Sequence, residues 1–348
     1  MQHAGYSTFM GGKWHLWGLP GDREWGFDEH CLYGALCVDA IANEEWVARY
    51  DGPWYPWNGS TRDVLAQKTG LSGPYATWHP MIIKNGEFFD TTPDDFGPDI
   101  LCDAAIEFAR RKSDEKEPFF IYYAEHLTHD PYTSMRDPDN PTVETEPGME
   151  SNVRYMDHVI GVLVNSLKEM GVWDNTVLFV AGDNPSAILG KGAASEIGAH
   201  VPLIIAGGDK WVRWQGATGC LTDLADIYPT CLDLAGLSTE EFPDLDGHSL
   251  RPLLDGDTDY SRPWIFSYVG GMYRMIRNRD YCLDGLNQLW RCNDSGNPFT
   301  FNLVDETEIS DDAKQARLKL EAALERLPLP PERVIQSSAA AKGNLRTN

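Results

Sequence analysis

The chain holds 348 residues, enough for one large domain with a substantial core or for two smaller ones. Its net charge of −24, from 29 basic and 53 acidic side chains, leaves no basic field for a phosphate backbone and argues against nucleic-acid binding. No apolar run reaches the length of a membrane span, and Met1 is not followed by the basic-then-apolar pattern of an export signal.

Near the start, "GGKWHLWG" reads as an extended segment. Lys13 and His15 are two residues apart and share a face, while Trp14 turns the other way, toward a core. A cation beside an imidazole suits sulfate, phosphate or a carboxylate. The same spacing also describes an amphipathic strand edge with a snorkelling lysine.

Further on, "ILCDAAIEFARRKSDEKE" reads as a charged helix, followed by the apolar strand "PFFIYYA" (Pro118 to Ala124). His126 and His129 come just past that strand, where ligands bind in open α/β sheets and where a histidine can move protons. Either can also be a satisfied loop histidine. As a metal pair they lack a third ligand nearby in sequence. "NVRYMDHVIGVLVNSLKEMG" carries apolar residues at Val153, Met156, Ile160, Leu163, Leu167 and Met170, a helical spacing closed by Gly171.

"NTVLFVAG" (Asn175 to Gly182) is a near-continuous apolar strand ending at Asp183 and Asn184. These two supply hard oxygens for Ca²⁺ or Mg²⁺, or form an ordinary Asx turn. Lys191 follows in a glycine-rich loop, and "HVPLIIAGG" (His200 to Gly208) is a second apolar strand. Strands of this texture alternating with helices predict an α/β fold with a mainly parallel sheet, its strands buried on both faces.

"LTDLADIYPTCLDLAG" predicts a helix capped by Thr222 and ended near Gly236, with Pro229 as a possible bend. Beyond it, "PWIFSYV", "MYRMIRN" and "DYCLDGL" predict a small antiparallel sheet, packed with one charged helix at Asp311 to Arg326. The division expected is 1–255 for the α/β domain, 256–328 for the small subdomain and 329–348 for a disordered tail. Seven cysteines, at 31, 37, 102, 220, 231, 282 and 292, form no C-x-x-C pair and read as buried free thiols. Cys31 with Cys37, or Cys282 with Cys292, could pair in an exported protein.

Taken together and in order, these stretches resemble the sulfatase family. "GYSTFMGGKWHLWG" resembles the family's second signature, G-Y-x-T-x-x-x-G-K-W-H-L-G. "GFDEHCLYG" resembles G-F-D-x-F-x-G, and "PFFIYYAEHLTHDPY" is similar to the strand ending in a catalytic histidine followed by x-P. The run "YMDHVIGVLVNSLKEMGVWDNTVLFVAGDN" looks like the long helix and the strand with a metal-binding Asp-Asn. "GKGAASEIGAHVPLII" resembles G-K-G…E-G-G-x-R-V-P, and "LTDLADIYPTCLDLAGL…LDGHSLRPLL" matches D-x-x-P-T…D-G-x-S-L.

The resemblance implies an alkaline-phosphatase-like α/β sandwich with a small C-terminal antiparallel sheet, and hydrolysis of sulfate esters or sulfamates. It also implies a formylglycine nucleophile and a Ca²⁺ ion. By matching position, Lys13 is the first sulfate-binding lysine and His15 a candidate base for sulfate release. His129 is a candidate proton donor to the leaving group, with His126 the poorer match. Asp183 and Asn184 match metal ligands, and Lys191 matches the second lysine. The implied partner is a small sulfated substrate, an aryl sulfate or a sulfated sugar, selected by loops at Asp39 to Trp57 and Met135 to Met149. Trp46, Trp54 and Trp57 could stack on its ring, although packing is the commoner use of such side chains. The family is commonly exported.

The chain departs from the pattern in one large respect. Neither the family's Asp-Asp metal pair nor its C/S-x-P-x-R nucleophile motif occurs in the 348 residues; Ser261-Arg262-Pro263, for instance, is followed by Ile265 where arginine belongs. Smaller departures are Pro185, Ile197 and His200 where glycine, glycine and arginine are usual. Three readings follow. The chain is an N-terminally truncated part of a sulfatase, with a sheet edge left open. Alternatively it is an inactive fragment or non-catalytic protein that binds sulfated ligands or a partner chain. The third reading is a phosphodiesterase or phosphonate hydrolase of the same superfold.

Overall fold

The computed structural model describes residues 1–327 apart from Trp17, 22–24, 38–39, Ile41, 56–72, Tyr75, 130–131, 186–189, Pro243, Thr258, 270–272, Asp294 and Gly296. The expected tail at 329–348 and Trp57 lie outside the described residues. The chain divides into one unit at Met1–Asp174 and a second from Asn175 onward.

The first unit is built on five strands: β1 (Ser7–Trp14), β2 (Glu29–Cys37), β3 (Ile82–Lys84), β4 (Glu87–Phe89) and, after a helix α1 (Gly97–Glu115), β5 (Phe119–Ala124). Their order is β4-β3-β2-β1-β5. β1 runs parallel to both β2 and β5, while β3 and β4 add antiparallel strands at one edge. β3 and β4 are joined by Asn85-Gly86, both with positive φ, the turn that matches strand twist.

Alternation sorts the side chains. Phe9, Cys31, Tyr33 and Ile82 lie in one cluster with Leu101, Ala105 and Phe108 of α1. Met10, Trp14, Leu32 and Ile83 lie in another cluster with Tyr50 and Met81. β1 and β2 are therefore covered on both faces, whereas β5, read from an apolar run, is not: Tyr122 is 55% exposed. α1 has Pro98 in its first turn, where a missing N–H costs nothing. A second long helix, α2 (Met149–Glu169), packs on α1 in a cluster that also takes in Phe119, Ile121 and Tyr123 of β5.

The buried stripe of α2 is Asn152, Tyr155, Val159, Leu163 and Leu167, so Leu163 and Leu167 are where the sequence places them. Val153 is 43% exposed, because the stripe is turned toward Tyr155. That ring stands edge-on to Phe96, and its hydroxyl donates to the Asp99 carboxylate. Gly171 has φ +72 and closes the helix as predicted.

In the second unit, β6 (Val177–Ala181) and β7 (Leu203–Gly207) form the two strands read from the apolar runs. They pair with each other in antiparallel register, and Ile204 is 60% exposed, so the expectation of burial on both faces does not hold for them. An apolar run fixes neither strand direction nor how much covers it. The helix α3 (Ile227–Leu234) begins as a turn of 3-10 helix capped by Asp223, not Thr222. The Asp223 carboxylate accepts from Ala225 N–H, and Asp226 returns a bond to Asp223 N–H. Five antiparallel strands follow in sequence order, β8 (Ile265–Val269), β9 (Tyr273–Arg277), β10 (Tyr281–Leu283), β11 (Leu289–Arg291) and β12 (Asn302–Leu303). The charged helix α4 (Asp311–Arg326) buries Ala313, Ala316 and Leu320 against Ile276, Leu283 and Leu289. All seven cysteines are free thiols, five of them buried.

The D-x-x-P-T…D-G-x-S-L run acquires a structural explanation. The Asp226 carboxylate is fully buried and takes Arg262 Nη1 at 2.8 Å on each oxygen, together with the backbone N–H groups of Asp223 and His248, each at 2.8 Å. Thr230 Oγ1 donates to Asp226 O and accepts from Leu250 N–H. Gly247 is required because a Cβ there would lie 2.0 Å from the Ala225 carbonyl oxygen. These residues staple the 247–250 segment to the start of α3.

Replacing Arg262 with Met leaves the Asp226 carboxylate buried and unpaired, and should cost about 3–5 kcal/mol. Urea unfolding measures this, and a loss below about 1 kcal/mol, the level of an exposed pair, would show the pair to be dispensable.

Candidate functional site

Because β1, β2 and β5 are parallel, their carboxyl ends fall at one edge of the sheet, the place where α/β folds bind ligands. Two glycines let β1 and β5 close on each other there. Gly12 is registered opposite Ala124 and has φ +93; a Cβ on it would sit 2.0 Å from the Ala124 carbonyl oxygen. A Cβ on Gly11 would meet the Tyr123 ring at 2.9 Å. A side chain at position 12 would push the two strand ends apart, and one at position 11 would displace the Tyr123 ring.

Lys13 follows this contact directly, one residue before β1 ends. The ladder with β2 is irregular between Gly12 and Trp14, which re-aims the chain at that point. Lys13 is half-buried and Trp14 is 5% exposed. The Trp14 indole donates to Gly18 O at 2.7 Å and stands edge-on to Trp25 and Phe27, so the strand end is anchored from its core side. His15 is exposed, one residue past the strand.

The end of β5 is held by a residue that the sequence reading passed over. Glu125 follows Ala124, and its carboxylate accepts four bonds. Oε1 takes Tyr33 Oη at 3.1 Å, His126 N–H at 2.7 Å and Leu127 N–H at 3.2 Å, and Oε2 takes Tyr123 Oη at 2.6 Å. Burial pushes the carboxyl above its ordinary range, while these bonds pull the other way. The signal was present in "YYAEH": a carboxylate set against two tyrosines at the end of an apolar strand.

Past Glu125 the chain turns tightly, with His129 N–H donating to His126 O at 2.8 Å. The His126 and His129 rings stack at 5.3 Å, and Tyr33 stands edge-on to His126 at 6.0 Å. His129 is the more exposed of the two. Lys13, His126 and His129 thus project from the ends of adjacent strands, with His15 just beyond.

In the second unit, Asp183 and Asn184 follow β6 after Gly182, whose N–H donates to Pro202 O at 3.0 Å and closes the neck of the loop. Asp183 is exposed; its Oδ1 accepts Asn184 N–H at 2.8 Å and its Oδ2 accepts Asn184 Nδ2 at 2.7 Å. Their oxygens are the hard donors calcium prefers, but two side chains fall short of the roughly 6–8 oxygens of its shell. Among the described residues no group of three or more His, Cys, Asp or Glu is arranged for a metal. The pair fits part of a calcium site and does not complete one.

Lys191 is exposed on the loop between β6 and β7. The far side of that loop is clasped by the C-terminal sheet: Arg277 of β9 pairs with the buried Glu196, and Gly285 N–H donates to Ala194 O at 2.7 Å. The Trp54 side chain lies outside the described residues, and Trp46 packs partly buried against the cluster around Trp14.

The family model described as Sulfatase matches residues 1–237. The N-acetylgalactosamine-6-sulfatase of Canis lupus familiaris is 27% identical over 299 residues, covering 78% of this chain and 50% of that protein. The chain spans about half the length of the curated relatives it matches. A sulfatase crystal structure from Pseudoalteromonas sp. superposes with a TM-score of 0.63 at 20% identity, covering 95% of this chain and 73% of that one. Another, of the protein BT4656 in complex with its substrate D-glucosamine-2-N,6-O-disulfate, superposes with a TM-score of 0.55 at 17% identity, covering 93% and 80%. No helix among the described residues is long and apolar enough to cross a membrane.

The strand-end contact makes Gly12 the sensitive position. Gly12→Ala should lose the roughly 1–2 kcal/mol of a positive-φ alanine and, in addition, the cost of displacing the Ala124 carbonyl. Gly86→Ala is the control, since φ is +82 there and the nearest heavy atom to a Cβ is 3.9 Å away. Equal thermal destabilisation of the two variants would contradict the contact.

Proposed function

The chain belongs to the sulfatase family, and we propose that it takes part in the hydrolysis of sulfate esters carried by a sugar or aryl group. The observation that supports this reading best is the Gly12–Ala124 closure, which sets Lys13 and the His126–His129 turn at neighbouring strand ends.

In this reading Lys13 neutralises the sulfate oxygens by a charge-assisted contact from its ammonium group. His129 gives a proton to the leaving alcohol oxygen as the ester S–O bond breaks, and His15 takes a proton during sulfate release. By its match to the family motif, Lys191 of the second unit is assigned as the second lysine. Asp183 and Asn184 would hold part of a Ca²⁺ shell, and such an ion, when bound, supplies positive charge against sulfate oxygens.

The nucleophile would come from sequence other than these 348 residues, which contain no C/S-x-P-x-R motif. In this reading the chain is part of a longer sulfatase, in keeping with curated relatives about twice as long. A sulfated amino sugar is the favoured substrate class, following the relatives named for N-acetylgalactosamine 6-sulfate and the neighbour holding a disulfated glucosamine.

Calorimetric titration with inorganic sulfate and with 4-nitrophenyl sulfate tests the reading. We expect saturable binding without nitrophenol release, weakened about tenfold or more in Lys13→Ala, the effect of one lost charge-assisted bond. Binding unchanged in Lys13→Ala would contradict the site. Preference for a phosphate diester over the sulfate ester would favour a phosphodiesterase of the same superfold.

A further inference from the structure

We propose that Glu125 is a positioning residue of this site: its carboxylate ties the carboxyl end of β5 to Tyr33 in the middle of β2, across β1, and thereby sets the His126–His129 turn. The proposal rests on the reading of that turn as an anion-binding element.

The sheet order puts β1 between β2, which carries Tyr33, and β5, which carries Tyr123. A single carboxylate accepting from both hydroxyls therefore spans three strands. The bridge passes over Gly11, where a Cβ would strike the Tyr123 ring. The glycine pair thus serves two ends: Gly11 admits the tyrosine, and Gly12 admits the Ala124 carbonyl.

The same carboxylate reaches forward along the chain. Its Oε1 takes the N–H groups of both His126 and Leu127, which have left the strand ladder and would otherwise need other partners. Fixing those two peptides fixes where the turn begins, and the His129 N–H bond to His126 O fixes where it closes. The four groups that hold the carboxylate are neutral donors. An unpaired buried carboxylate costs more than an apolar side chain in the same place, so core packing alone does not explain it.

The test uses the full chain with its nine histidines carrying ¹³C-labelled rings, read by NMR with and without inorganic sulfate. Glu125→Ala should move the His126 and His129 ring signals, leave those of His3, His158, His200 and His248 in place, and weaken sulfate binding about tenfold. Glu125→Gln, which keeps the shape and an acceptor oxygen, should restore ring signals and affinity to within about twofold. Unmoved His126 and His129 signals in Glu125→Ala overturn the proposal, as does failure of Glu125→Gln to rescue.

If Glu125→Ala does not fold, the double variant Tyr33→Phe, Tyr123→Phe removes the bridge and keeps the rings. The same two signals must then move, and their constancy overturns the proposal. If the parent chain binds no sulfate, the functional reading fails, and the ring signals alone decide the positioning role.

Discussion

The Ala124 carbonyl oxygen occupies the space that any side chain on Gly12 would need. That close approach brings two parallel strand ends together, and the rest of the first unit is arranged to hold it. Tyr123 rests against Gly11, Glu125 ties Tyr123 to Tyr33 on the far side of β1, and Trp14 anchors the strand from the opposite face. The polar residues at the edge hang on backbone that can hardly move without breaking this arrangement. Such rigidity is what an anion site needs, since a cation held in place costs no reorganisation when charge arrives.

The second unit uses ordered polar contacts for another purpose. Asp226, Thr230 and Gly247 fasten one segment to another within the fold, and Glu196 with Arg277 fastens the far side of the Lys191 loop to the C-terminal sheet. The family motifs therefore divide by physical role. Some present side chains outward, as at Lys13 and Lys191, and some are internal joints, as at Asp226. Sequence similarity records both in the same way.

Much of this was legible in the chain. Trp14 turns into a core cluster as its place between Lys13 and His15 predicts, the apolar run before His126 forms β5, and helix α4 falls at the residues its charge predicts. Strand direction was less legible, because an apolar run such as "HVPLIIAGG" fits parallel and antiparallel pairing equally well; β6 and β7 prove antiparallel. The helix cap at Asp223 rather than Thr222 is a shift of one residue between two competent acceptors. Glu125 was missed for a physical reason. A carboxylate beside histidines in a loop reads as solvated, and only the folded chain reveals that two tyrosines from different strands close over it.

The measurement that bears most directly on this account is a crystal structure of the chain soaked with tungstate, a heavy tetrahedral oxyanion. The account predicts an anomalous peak at the strand edge, within hydrogen-bond distance of Lys13 Nζ and beside the His129 ring. Tungstate bound elsewhere, with that edge empty, would contradict it.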